Sequence, residues 1–539
     1  MMLRRLINIM IAGTCLVAFT SCRDFEPDMK VLAGKTEPDD RYLNFTFVVN
    51  SGHYSATRAE EKEPKGEENG DGREAGFMRE NYVSGVTLVF YRNSDGINAT
   101  ESSTPALADT KVDLVKYYPV TIVSRDAQGT PYTTKQDEAI YTTGEQKITE
   151  TDFDLSATYR VLVIANADLT QGSDKIEKGN SLADVRDKVY TDALYTGTGL
   201  GDKAYAFVMT SENDIELNFA GAGVKTIDKV GSYTKELYSF SGIRIERMAA
   251  RIDFSTQYNY KDGSTDKYAA VYKTKDKSSN NYAYPGYVYP VYKTTDSDGN
   301  PTSADRFVVT AIVPFNLSLT NTGCSEYLFK RTNDTTTPYL ADETTSNWVI
   351  DPDRENKTGT DHPTYFNYNL TELVNTTSET DPHAALAAKG NYLTTESYQS
   401  SEARYDLTVS GSNTADNLIV AYPKENTLLP ESPLYYYATG LAIEGYYYKN
   451  DDATATPTRF VYLGYLRHQG ESSLAYLTNE IGSSLDKTTT CKTGLAMNFG
   501  IVRNNIYRVY INKVNEKGEL ELKIKVKKWD PYIHEYIYM

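Results

Sequence analysis

The side chains that usually carry chemistry are plentiful in this chain but do not fall into working spacings. The five histidines, His53, His362, His383, His468 and His534, are scattered, and none forms an HExxH or HxH pair. There is no GxSxG elbow, no phosphate-binding glycine loop and no GxGxxG after a strand. Asp and Glu number 73. Glycosidase-type catalysis holds two carboxylates about 5–10 Å apart, and nothing in the spacing singles out a pair, so solvated surface charge accounts for them. Asp296-Ser297-Asp298-Gly299-Asn300 has the closely spaced acids of a calcium loop. It lacks the following glycine and the distal glutamate, and a turn using Asp-Gly for positive φ explains the same residues. No catalytic residue, metal or cofactor is expected.

Cys22 is different. Arg4 and Arg5 precede an apolar stretch from Leu6 to Phe19 that is too short for an ordinary membrane span. It ends in Phe19-Thr20-Ser21-Cys22, which resembles a bacterial lipobox. Residues 1–21 are therefore expected to be a lipoprotein signal peptide, with Cys22 carrying the lipid. An ordinary signal peptide followed by a chance cysteine is the alternative. Cys15 lies in the discarded stretch, which leaves Cys324 and Cys491 without a CxxC metal or redox motif. They read as two separate buried thiols or as a disulfide of an oxidising compartment.

The elements that must position these residues are strands. The chain has 539 residues, 40% of them hydrophobic, including 45 tyrosines. Strand formers alternate with Thr, Asn, Asp and Gly, as in an all-β protein. The length suggests roughly two to four domains. Strands are expected at residues 41–50, 82–91, 159–166, 204–210, 242–254 and 306–319. Others are expected at 434–449 and 459–466, paired as a hairpin, and at 505–514, 519–527 and 532–539. One short helix is expected at 181–190, capped by Ser181, with Leu182, Val185 and Val189 on one face. The boundary between two β-sandwich domains falls near residues 255–277, where polar residues replace the apolar periods. With 56 basic against 73 acidic residues the net charge is −17, which argues against nucleic acid as a partner.

Two strands share a pattern. In the first, Leu43, Phe45, Phe47 and Val49 alternate with other residues, the mark of one buried face. It is followed by residues 51–76, a charged segment with Glu60-Glu61-Lys62-Glu63-Pro64 and no apolar period. A good strand set apart by an arginine-bearing loop reads as one meant to be cut off. Near the other end, Leu520, Leu522, Ile524 and Val526 face one way, and Glu519, Glu521, Lys523, Lys525 and Lys527 the other. This is either a half-buried sheet member or a strand able to fill the same kind of groove. Burying its four aliphatic side chains contributes roughly 6–12 kcal/mol, an upper estimate.

Arg503-Asn504-Asn505-Ile506-Tyr507, with Gly518 and the alternation running to Trp529, resembles the C-terminus of the fimbrillins. These are the type V pilus subunits of Bacteroidales, and the shorter-fimbria branch is the nearer match. Arg247-Met248-Ala249-Ala250-Arg251-Ile252-Asp253 resembles the family's segment leaving the N-terminal domain. Ser55-Ala56-Thr57-Arg58-Ala59 resembles its maturation site, cut after arginine by an Arg-specific protease. The resemblance implies two transthyretin-like β-sandwich domains with a few short helices, at 59–255 and 256–539, behind a propeptide at 22–58. Cleavage between Arg58 and Ala59 would release the lipid at Cys22 together with the removable strand Leu43, Phe45, Phe47 and Val49. The emptied groove would take a neighbour's donor strand, here Leu520, Leu522, Ile524 and Val526. Arg73 and Arg79 are alternative cut sites. The expected product is a non-enzymatic structural subunit of a cell-surface pilus supporting adhesion, first an outer-membrane lipoprotein precursor and then part of the extracellular fimbrium. Its partners would be identical or homologous subunits, tip and anchor pilins, the protease, outer-membrane lipid before maturation, and host protein or glycan. An accessory tip or anchor pilin is one alternative. The other is a monomeric surface lipoprotein binding glycan on Tyr435-Tyr436-Tyr437 and Tyr446-Tyr447-Tyr448.

Overall fold

The computed structural model describes residues 40–49, 73–75, 78–92, 109–122, 140–149, 151–190, 206–211, 214–221, 223–273, 282–284, 286–318, 325–335, 347–354, 363, 391–392, 417–468, 475–477, 499–515 and 520–530. Within them the chain is all-β, with only short helical turns such as Leu182–Arg186 and Leu434–Tyr437.

The first half builds one sheet of eleven strands. Its spine runs Val112–Pro119, Gly85–Arg92, Thr158–Ala165, Met209–Ser211, Tyr233–Arg247, Asp40–Val49, Ile140–Thr142 and Thr121–Ile122. Gly85–Arg92 and Thr158–Ala165 are near-continuous apolar runs, as expected of strands buried on both faces. The sheet folds over on itself. In a flat sheet, four strand spacings would put Phe45 about 19 Å from Phe90, yet their ring centroids are 6.0 Å apart. Phe45, Phe90, Phe153 and Phe240 belong to the core so enclosed.

The second half is a sandwich of two sheets. One contains Arg251–Ser255, Asn417–Ala421, Asn505–Val514 and Leu520–Asp530, with Arg73–Ala75 on its outer edge. The other is centred on Arg306–Phe315, Gly440–Tyr448 and Thr458–Tyr465. Phe254, Val509 and Leu522 of the first sheet meet Phe307, Ile443 and Tyr462 of the second in one core.

Several elements differ from the sequence reading. The helix stops at Arg186, where Asp187 caps it; Ser181 Oγ accepts from Asp184 N at 3.0 Å as expected. Val189–Tyr190 instead pairs with Glu326–Tyr327, and Val189 is exposed. Residues 242–254 are two strands, because Met248–Ala250 carries the chain from one sheet to the other. That crossing lies shortly before the boundary expected after Ser255. Residues 434–437 form a helical turn behind Pro433, and the hairpin strand starts only at Gly440.

The crossing is locked by buried charge. Arg247 Nε donates to Glu80 O at 3.0 Å and its Nη1 to Asn504 Oδ1 at 3.1 Å. Arg251 binds Glu80 Oε2 and Asp253 Oδ2, each at 2.9 Å, and Arg508 reaches Asp253 at 3.0 Å. The two arginine-bearing segments are neighbours because Arg251–Ser255 runs parallel to Asn505–Val514, with Ile252 opposite Tyr507. Arg503 donates to the carbonyls of Tyr327 and Leu328, the latter at 3.1 Å, and that loop inserts Leu328 and Phe329 into the first core. Arg251→Ala would leave Glu80 and Asp253 buried with a partner missing. It is expected to lower unfolding stability by about 3–5 kcal/mol, measured by denaturant titration; a loss near zero would show that solvent reaches the junction.

Candidate assembly groove

The first strand, Asp40–Val49, is an interior member of its sheet. It runs parallel to Tyr233–Arg247 across nine paired positions, from Asp40 opposite Lys235 to Val49 opposite Ile245. On its other side it is antiparallel to Ile140–Thr142 and Gln146–Ile148. Leu43, Phe45, Phe47 and Val49 are fully buried, so the structure brings the four alternating residues to one face. Phe45 stacks on Phe240 at 5.6 Å and on Phe47 at 6.3 Å. Between Ile140–Thr142 and Gln146–Ile148 the ladder is completed by Thr143, whose Oγ1 accepts from Phe45 N and whose N–H donates to Phe45 O, both at 3.0 Å. The register shifts between Phe45 and Phe47, opposite Ser241-Gly242, and Gly242 there has φ +75°, a conformation that favours glycine.

Charge fastens the strand's start. Asp40 accepts from Lys147 Nζ at 2.5 Å and from Tyr233 OH at 2.7 Å. Arg41 lies 3.4 Å from Glu236, which also binds Lys225. Burial pulls the Asp40 carboxyl up, but the Lys147 and Tyr233 hydrogen bonds and the lysine charge outweigh it and hold the group below its ordinary value. Sequence reading missed Lys147, Tyr233, Thr143 and Glu236, which lie about 95 to 195 residues from the strand in elements too short or too mixed to show a period.

The second patterned strand is already occupied at home. Leu520–Asp530 pairs along its length with Asn505–Val514, and Leu520, Leu522 and Val526 are buried in the second core, with Ile524 partly buried against it. The groove strand and the proposed donor therefore lie in separate sheets. Cys22, Arg58, Ala59, Cys324 and Cys491 lie outside the described residues, as do residues 532–539. Arg73 lies in a strand and Arg79 in the 3-10 turn Met78–Asn81, where Glu80 and Asn81 are buried.

The rival features resolve as scaffold. Tyr435, Tyr437, Tyr446 and Tyr448 are core residues, Tyr446 stacking on Tyr284 at 3.8 Å and Tyr437 beneath Arg354 at 3.4 Å. Tyr436 and Tyr447 are partly buried against core residues too, so the two runs present no continuous open face. Asp296 Oδ1 is taken up by the backbone N–H groups of Asp298 and Asn300 at 3.0 and 2.8 Å, with Gly299 at φ +88°, so this loop is a turn. Among the described residues no group of three or more His, Cys, Asp or Glu is placed to hold a metal ion.

No protein-family profile and no curated protein matches the chain. Solved structures do. One, described as a candidate cell adhesion protein from Parabacteroides distasonis, is 12% identical, with a TM-score of 0.37 over 92% of this chain and 98% of that one. The tip fimbrial protein Mfa3 from Porphyromonas gingivalis, with its C-terminus truncated, is 10% identical, with a TM-score of 0.30 over 91% of this chain and 100% of that one. A fimbrial assembly protein from Parabacteroides distasonis is 10% identical, with a TM-score of 0.29 over 90% and 94%. At these values the role of the chain rests on its own geometry.

The Asp40 tether makes the groove pH-sensitive. A carboxyl held below its ordinary value contributes stability above that ordinary value and loses it as pH falls through the lowered one. Asp40→Asn is therefore expected to be less stable than wild type at neutral pH and equal to it at an acid pH below that lowered value. Denaturant melts at both pH values check this, and a difference persisting in acid would assign the effect to something other than charge.

Proposed function

We propose that this chain is a subunit of a cell-surface pilus, exported as a lipoprotein precursor through Cys22 and joined to its neighbours by strand exchange. One observation carries the reading. An interior strand with one fully buried face, Asp40–Val49, is connected to everything after it only through residues 50–72, so one cut there separates it covalently from both domains. Losing an interior strand leaves an apolar trough and two unpaired ladders, and a strand of like pattern restores both. Leu520–Asp530 is the segment of this chain whose alternation matches, and identical or homologous subunits are the partners that would supply it. The protease would cut after Arg58. Arg73 and Arg79 sit in paired or helical backbone, which proteases accept poorly. The surface of a bacterial cell is the corresponding location, with tip and anchor pilins as further partners. The buried tyrosines speak against the monomeric glycan-binding reading.

The maturation step is tested by Arg58→Ala. The expected product is an uncut precursor that keeps Leu43, Phe45, Phe47 and Val49 in place and runs as a monomer in cold detergent, where wild type gives a ladder. A wild-type ladder from this variant, with the N-terminus of its subunits still preceding residue 58, would refute strand removal.

The donor is tested by Ile524→Asp. Ile524 is the least buried of the four aliphatic residues at home, so its own domain should tolerate the change better than a closed groove in a neighbour does. Soluble, processed monomer that does not extend a polymer is expected. Insoluble protein would mark Leu520–Asp530 as a fixed member of its own sheet, and normal polymer would place the donor elsewhere.

A further inference from the structure

Among the described residues, the only strand paired along the outer edge of Leu520–Asp530 is Arg73–Ala75. It runs parallel to the strand's far end, with Arg73 opposite Lys528, Glu74 opposite Trp529 and Ala75 opposite Asp530. That place matters mechanically. Leu520–Asp530 forms a hairpin with Asn505–Val514, and a hairpin strand frays first at the end away from its turn. The end remote from the turn is where Lys528 faces Asn505. The short strand therefore sits where peeling would begin.

Its own moorings are unequal. Shortly after Ala75, Glu80 is buried and bound to Arg251 at 2.9 Å and to the Tyr422 hydroxyl. Before Arg73, the chain leads through residues 50–72 back to Asp40–Val49, buried in the other domain's sheet. In the intact chain Arg73–Ala75 is thus covalently continuous with an anchored element on both sides. After a cut within residues 50–72 it is fastened only at Glu80 and can fray from its new free end.

We infer that Arg73–Ala75 is a clasp that keeps the last strand on its own domain until the chain ahead of it has been cut. The inference rests on the pilus reading for its purpose, but not for its geometry. The same cut that frees the strand in the groove would loosen the strand meant to leave, so that acceptor and donor become available together. An intact precursor would be silent on both counts.

The test is hydrogen exchange, followed by mass spectrometry, on the uncut full-length chain. Glu74→Pro removes a backbone donor from the clasp. Peptides covering residues 520–530 are expected to exchange about five- to tenfold faster than in wild type, while residues 233–247 and 306–315 are unchanged. Equal exchange at 520–530 overturns the clasp. If Glu74→Pro fails to fold, shown by lost protection at 306–315, Glu74→Gly weakens the same strand while keeping its N–H, and a smaller rise confined to 520–530 is expected. Cutting wild type at residue 58 should bring its exchange at 520–530 towards that of the variant, and no rise on cutting would refute the coupling. A chain that polymerises with unchanged exchange keeps the pilus reading and sinks the clasp; raised exchange without polymer does the reverse.

Discussion

A backbone N–H or C=O inside a sheet must have a partner, and this requirement governs Asp40–Val49. The strand satisfies Tyr233–Arg247 on one side and Ile140–Thr142 and Gln146–Ile148 on the other. Its four apolar side chains fill the place where the folded-over sheet closes on itself. Taking it away removes a wall of the core and two ladders at once. The first domain is therefore complete only while some strand occupies that position, and the identity of the strand is a separate matter from the need for one.

The second dependence runs through the domain junction. Arg247, Arg251, Arg503 and Arg508 are all buried, and each is held by carboxylates, side-chain amides or carbonyls from the other segments that meet there. Such a network adds little net stability over apolar packing, but breaking it is costly because a buried charge is left alone. Its effect is geometric: it fixes where Met248–Ala250 crosses between sheets and where the Glu80 turn sits. The outer edge of the last strand is positioned through the same contacts.

Much of this was legible in the sequence where a period was long and unbroken. The alternation of Leu43 to Val49 announced a buried face, the apolar stretches at 82–91 and 159–166 announced strands, and Leu520 to Val526 announced a half-buried one. The arginine-bearing segments at 247–253 and 503–507 stood out as motifs, and the structure shows them side by side as scaffold. What stayed hidden depends on partners far along the chain. A parallel neighbour cannot be read from a strand's own residues, nor can a three-residue clasp such as Arg73–Ala75. Val189 carried a helical period, but pairing with Glu326–Tyr327 took its segment into a strand. The tyrosine runs left a display surface open as an alternative because Tyr suits both exposed and buried strands, and only packing shows that Tyr446 and Tyr448 face inward.

The long reach of the first strand also sets the order of folding. Phe45 finds its place opposite Phe240, with Arg41 meeting Glu236 at a separation of 195 residues. Contacts so distant along the chain form slowly, since a large loop must close before any of them is rewarded. A ribosome delivers Leu43 to Val49 early and the strand that receives them much later, so the first core cannot be finished during synthesis of the intervening stretch. Throughout that interval the first core lacks the pairing that closes it, and the chain stays short of its most stable arrangement.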